Sequence, residues 1–242
     1  MSEARDEILG AVREAVAKYA AKTPDSSGDP HAKANSRLAD HPANLIPARG
    51  RLGKKARVDL FIREAELVNA TVARASSPEG VPREVARFLA KNNLPMTLKI
   101  APETSEETIP WTEQTLLKVE EGRADGTEHA SVSRAFAGVA ESGTLVVLSG
   151  PGNPTTLNFL PPSHVCVVEA SDIAGDYEEI WARLRAEKSG EDNENSGDGG
   201  FGGFLPRTVN WITGPSRSAD IEQTLLLGAH GPQRLHIVIV DD

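Results

Sequence analysis

The sequence predicts a layered α/β fold: a mostly parallel central sheet with flanking helices, preceded by an N-terminal helical extension. Three observations predict it. Four runs, Thr144–Leu148 (TLVVL), His164–Val168 (HVCVV), Thr208–Thr213 (TVNWIT) and Leu235–Val240 (LHIVIV), are rich in Val, Ile and Leu, the pattern of strands covered on both faces. Helical periodicities fall between several of them, at Val132–Ala140, Tyr177–Ala186 and Ala219–Leu227. The chain has 242 residues, enough for one fold to hide about 72% of its unfolded surface without a disulfide or metal staple.

Along the chain, Ile8, Val12, Ala15, Val16 and Tyr19 recur at three- and four-residue steps and mark an amphipathic helix that Pro24 stops. Thr23–Ser36 (TPDSSGDPHAKANS) offers nothing to bury and reads as a linker over residues 23–36. A second helical pattern covers Val58–Ala75, with Phe61, Ala65, Val68 and Val72 on one stripe. A third opens at Pro82, carries Val85, Phe88 and Leu89, and ends at Asn92 and Asn93. These segments make residues 1–94 a helical extension, and residues 95–242 the α/β domain. Within that domain Met96–Ile100 and Leu116–Val119 are weaker strand signals. Ser189–Gly203 holds six glycines, four acids and one apolar residue, so it reads as a flexible insertion over 189–203.

Composition narrows the function classes. The chain carries 26 Lys and Arg against 35 Asp and Glu, a net charge of −9. Residues 1–75 hold 13 basic and 10 acidic side chains, and residues 76–242 hold 13 and 25. An acidic body argues against nucleic acid as a partner, because phosphate contacts need a basic face. Arg49–Arg57 (RGRLGKKAR) is basic at five of nine positions but has no interleaved aromatic, so it reads as a solvated segment or one docking on the acidic body. Cys166 is the one cysteine, which rules out an internal disulfide, a CxxC pair and a four-thiolate cluster site within one subunit. With no apolar h-region in residues 1–22, a reducing, cytoplasmic location is expected. Ser142–Val168 contains no Asp, Glu, Lys or Arg, yet four prolines and three glycines interrupt it, so a buried soluble segment is expected there and no membrane span.

The phosphate loop GxxxxGK[ST], the zinc motif HExxH and the nucleophile elbow GxSxG are all absent. Ligands of open α/β sheets bind beyond the carboxyl ends of strands. After Leu148 comes SGPGNP, in which Ser149, Gly150, Gly152 and Asn153 form either an amide cradle for a phosphate or carboxylate, or a plain turn. After Thr213 comes GPSRS. There Gly214 turns the chain, Ser216 or Ser218 caps a helix bearing Ile221, Leu225 and Leu226, and Arg217 either meets an anion or pairs with Asp220 and Glu222. If the strands run parallel, the two loops share one rim.

Glu141, in AESGT, is the carboxylate nominated as base or nucleophile, the alternative being an exposed or salt-bridged side chain. His230, in GAHGP, is the better functional histidine. His164 and His236 fall within strand patterns and read as satisfied core or edge positions. The histidines show no HxH or HxxxH spacing, so no metal site is expected. Trp111, Trp181 and Trp211 are scattered singly and read as packing.

Taken in order, AFAGVAESGTLVVLSGPGNPTTLNFLPPSHVCVVEASDI, ITGPSRSADIEQTLLLGAHGP and LHIVIV resemble the LUD domain of the lactate utilization protein C family, over about Pro95–Asp242. The resemblance implies a fold like that of ribose-5-phosphate isomerases and CoA transferases. It also implies a part in oxidising L-lactate to pyruvate beside partner subunits that carry iron-sulfur clusters, with no cofactor in this chain. In the related CoA transferases a glutamate forms the acyl intermediate, and Glu141 looks like its counterpart. Three hypotheses follow: a lactate-utilization subunit binding a small anionic or acyl ligand, a non-catalytic assembly or regulatory protein, and a stand-alone isomerase or transferase.

Overall fold

A computed structural model describes residues 8–15, 30–188, 206–219, 225–227 and 230–241. The chain divides into two compact units, Met1–Asn44 and Leu45–Asp242. In the first, residues 8–15 are helical (α1), as the periodicity predicts, and Pro30–Asp40 is a second helix (α2). The linker expected over 23–36 therefore gives way to helix at Pro30, a residue suited to a helix's first turn. Ser36 Oγ donates to Asp40 Oδ2 at 2.7 Å, one turn further on.

The second unit is built on an all-parallel six-stranded sheet in the order β1-β12-β7-β4-β2-β3, where β1 is Thr71–Ala75, β2 Thr97–Ile100, β3 Lys118–Glu121, β4 Ala130–Arg134, β7 Ser163–Glu169 and β12 Arg234–Val240. Its inner strands send successive side chains to opposite faces. Val165, Val167, Val238 and Val240 pack with Val85, Phe88 and Leu89 of helix α4 (Val81–Lys91) on one face. Cys166, Val168, Ile237 and Ile239 pack with Phe61 and Ala65 of helix α3 (Lys54–Leu67) on the other. Both faces are covered, which is why these strands read as continuous apolar runs.

A second sheet, ordered β8-β5-β6-β9, lies against that second face through Leu145 and Val147. It comprises β5 (Ala137–Val139), β6 (Thr144–Leu148), β8 (Ile173–Ala174) and β9 (Val209–Ile212). Its outer side packs Val139 and Val146 on Ile180 and Leu184 of helix α6 (Tyr177–Lys188). Helix α5 (Thr156–Phe159) is one turn, and β10 (Arg217–Ala219) pairs antiparallel with β11 (Leu225–Leu227).

Several expectations change. The helix expected over Val132–Ala140 is instead β4 and β5; buried Ser131 and Ser133 disguise the strand alternation, and their hydroxyls bond to Leu157 O at 2.6 Å and His164 Nε2 at 2.7 Å. The pattern over Val58–Ala75 is α3 followed by β1, broken at Asn69, whose φ of 67° no helix continues through. The helix expected over Ala219–Leu227 is absent at both described ends, which pair as β10 and β11. A boundary near Pro95 falls inside one compact unit, because β1 pairs with β12 along five residues. The insertion 189–203 lies outside the described residues.

Candidate functional site

The two glycine loops do not meet. Strand β6 runs antiparallel to β9, with Leu145 opposite Ile212 and Leu148 opposite Val209. The SGPGNP loop therefore leaves β6 where β9 begins, and Ser149 Oγ accepts from the Thr208 amide at 2.8 Å. The GPSRS loop leaves β9 where β6 begins, three residue steps or roughly 10 Å of strand away. The shared rim expected from parallel strands is corrected accordingly. Loop SGPGNP is also closed on itself: the Gly150 amide donates to Asn153 O at 3.4 Å and the Asn153 amide to Gly150 O at 3.2 Å. Those amides are unavailable as an anion cradle.

At the amino ends of β7 and β12, GPSRS is brought together with His230, Gly231 and Pro232. Ser216 N donates to Pro232 O at 2.8 Å and His230 N to Ser216 Oγ at 3.4 Å. Gly214 has a φ of 73°, and a Cβ there would lie 2.4 Å from Val68 O, so only glycine fits the turn against the end of α3. Ser216 thus caps no helix. The side chains of Arg217 and Ser218 lie outside the described residues.

These loops wall a cavity of about 280 Å³, lined also by Asn158, Phe159, His164, Trp211 and Thr213. Among the described residues, no Asp, Glu, Lys or Arg lines it. Asn158 is 1% exposed, and neither its Oδ1 nor its Nδ2 has a protein partner. His164 is fully buried; its Nε2 is 2.7 Å from Ser133 Oγ, and its Nδ1 has no partner. Burial pushes the His164 imidazole down to about 4, so it is neutral in neutral water. Three buried polar atoms without protein partners thus belong to two residues of the cavity wall. Asn158 supplies a donor and an acceptor, and a neutral imidazole supplies one or the other.

The strand position expected for His164 holds, but the ring is not fully satisfied, since its Nδ1 has no protein partner. Asn158 is a residue the sequence could have marked, because a lone amide between Leu157 and Phe159 in a stretch without charge is the signal of a buried polar group. Trp211 joins the wall of the cavity, and it also packs on Trp181 with ring centroids 5.3 Å apart.

Glu141 stands at the same end of β6 as Thr213 but does not line the cavity. Its backbone amide donates to Gly175 O at 3.2 Å, and its Oε2 lies 3.9 Å from Arg49 Nε. Between it and the cavity runs a chain of hydroxyls: Ser142 Oγ to Tyr177 Oη at 2.8 Å, Tyr177 Oη to Thr144 Oγ1 at 3.0 Å, and Thr144 Oγ1 to Thr213 Oγ1 at 2.7 Å. Arg57, like Arg49, docks on an acid, lying 3.2 Å from Glu179. The basic segment 49–57 thus spends two of its charges on the body of its own domain.

At the opposite, carboxyl ends of β2, β4 and β7 lies a second cavity, of about 340 Å³, lined by Glu103, Arg134, Asn153 and Asp172 among others. Arg134 pairs with Glu169 at 3.1 Å. Partial desolvation raises the Glu103 carboxyl, and Arg134 opposes that rise. The buried Cys166 thiol is pushed up to about 12 by desolvation, so it is a protonated core residue, not a ready thiolate. Among the described residues, no group of three or more His, Cys, Asp or Glu is placed to hold a metal ion, and no helix is long and apolar enough to cross a membrane.

A mostly parallel sheet backed by a second sheet, with cavities at its two ends, makes this a layered α/β protein. The LUD domain profile matches residues 58–240, and the chain belongs to the LUD domain family. Three quarters of the chain also superposes, with a TM-score of 0.54 and 20% identity, on a crystal structure of a DUF162 family protein from Deinococcus radiodurans, covering 78% of this chain and 99% of that one. Curated relatives include lactate utilization protein C of a Geobacillus species, 36% identical over 120 residues (49% of this chain, 45% of that protein). The same-named protein of an Exiguobacterium species is 32% identical over 157 residues (65% and 62%). The chain spans about half the length of most of the curated relatives it matches.

Proposed function

We propose that this chain serves lactate utilization as a subunit that binds a small anionic or acyl ligand in the cavity at the amino ends of β7 and β12. Membership of the LUD domain family and relatives named lactate utilization protein C support the pathway. One observation supports the ligand: Asn158, 1% exposed with neither amide atom bonded to protein, belongs to the wall of a cavity that no described carboxylate lines. A ligand carboxylate would accept from Asn158 Nδ2 and Ser216 Oγ, and a 2-hydroxyl or 2-oxo group would meet the neutral His164 Nδ1. Turning L-lactate into pyruvate removes two electrons and two protons. The family resemblance implies that iron-sulfur centres of partner subunits take up the electrons, and the single buried cysteine offers no cluster site of its own.

Reconstitution tests the reading. L-lactate oxidation by cluster-bearing partner subunits is expected to require this chain and to fall when it carries Asn158→Leu. Turnover that is indifferent to the chain would overturn the proposal. Turnover by the purified chain alone would favour a stand-alone isomerase or transferase instead. Activity that requires the chain but survives both Asn158→Leu and Ser216→Ala would favour an assembly role.

A further inference from the structure

We propose, resting on the reading of the cavity at the amino ends of β7 and β12 as the ligand site, that it takes a 2-hydroxy or 2-oxo acid whose side chain is an aromatic ring. Size is the first observation. The cavity measures about 280 Å³, whereas L-lactate displaces about three or four waters, roughly 100 Å³ at about 30 Å³ each. A methyl side chain leaves most of the space unfilled.

The walls choose what fills it. Phe159, Trp211 and Ile212 are among the lining residues, and Phe159 is 39% exposed. An aromatic side chain left open at a cavity wall gains by being covered, and a second ring offers it offset or edge-to-face contact. The polar groups are equally accessible. Half-buried Ser216 and exposed His230 line the same cavity, and Ser216 Oγ, which accepts from the His230 amide at 3.4 Å, keeps its own proton for a carboxylate. Aromatic and polar groups also stand close together. A Cβ on Gly231 would lie 3.3 Å from Ser216 Cβ and 3.8 Å from Phe159 Cδ1, so the two side chains flank one point of the wall. A carboxylate held by Ser216 therefore brings the rest of such an acid within reach of Phe159. No described Asp, Glu, Lys or Arg lines the cavity, so no ionised wall group has to lose its water when a ring enters.

Isothermal titration of the full chain with L-phenyllactate, against L-lactate at equal ionic strength, tests the class of acid. Phenyllactate is expected to bind at least about tenfold more tightly, the gain from burying one ring. Phe159→Ala should remove most of that advantage. Leu160→Ala, which alters an exposed neighbour outside the cavity wall, should keep it. If Phe159→Ala melts early, the Phe159 ring resonances of the unaltered chain carry the same test, and they should shift saturably with phenyllactate. L-lactate binding as tightly as phenyllactate would overturn the aromatic class alone. An undiminished advantage in folded Phe159→Ala, or unmoved Phe159 resonances, would also overturn it. Binding of neither acid would overturn the reading of the cavity as the ligand site with it.

Discussion

At the amino ends of β7 and β12 the chain buries Asn158 and His164 around a cavity without described charges, whereas at the carboxyl ends of β2, β4 and β7 it gathers Glu103, Arg134 and Glu169 beside Asn153. Each cavity wall includes a buried amide with an atom that no protein group bonds. They differ in what desolvation does to their ionisable groups. Burial at the amino end makes His164 a neutral dipole, while partial burial at the carboxyl end leaves Glu103 holding its proton more tightly.

That contrast makes opposite pH predictions, and this is the largest expected effect. His164 and His236 are both pushed down to about 4 by burial, and His236 also stacks on Phe88 at 4.5 Å. The unfolded chain takes protons on these histidines near 6.5, before the folded chain does. Stability is therefore fully present above about pH 6.5, falls as pH drops from 6.5 to 4, and levels off below. The loss should reach roughly 3 kcal/mol per histidine. Urea unfolding across that range measures it, and His236→Phe should remove about half the slope. Glu103 works the other way: with its folded carboxyl raised, its contribution is greatest below pH 4.5 and is lost as pH rises through the raised value. Glu103→Gln should erase that smaller opposing component.

The glycine loops give a second, sharper comparison. Gly214 sits at φ 73° with Val68 O only 2.4 Å from where a Cβ would be, and Gly150 has nothing within 4 Å. Gly214→Ala should cost at least about 2 kcal/mol, from left-handed backbone and close contact together. Gly150→Ala should stay within about 0.5 kcal/mol. Thermal melts of the two variants decide it, and equal costs would contradict the geometry of the β6 and β9 ends.

Smallest in stability and largest in ligand binding is Asn158→Leu. It removes two buried polar atoms that have no protein partner, so folding stability should hold or rise slightly. Affinity for a small carboxylate such as L-lactate or pyruvate should fall about tenfold or more. A variant that loses stability and keeps its affinity would make Asn158 a structural residue.

Much of the fold was legible because covered strands announce themselves. TLVVL appears as β6 with the same bounds, and LHIVIV and HVCVV each lengthen by one residue or two. What escaped was direction and partnership. Nothing in Thr208–Thr213 tells that β9 runs antiparallel to β6, and that reversal alone separates SGPGNP from GPSRS. Strand β4 was hidden because Ser131 and Ser133 are buried with their hydroxyls bonded, which defeats a rule that equates polar with exposed. The site was half legible: Gly214, Ser216 and His230 do gather, since glycine and proline loops mark strand exits wherever the strands point. Asn158 and His164 complete it from a segment whose lack of charge signals burial but not which polar atoms the burial leaves unbonded.

The side-chain amide resonances of Asn158 and Asn153, followed by NMR as L-lactate or pyruvate is added, test the assignment most directly. The Asn158 signal is predicted to shift saturably while the Asn153 signal stays in place. Movement of Asn153 with Asn158 unmoved, or no saturable shift at either, would contradict the placement of the ligand at the amino end of the sheet.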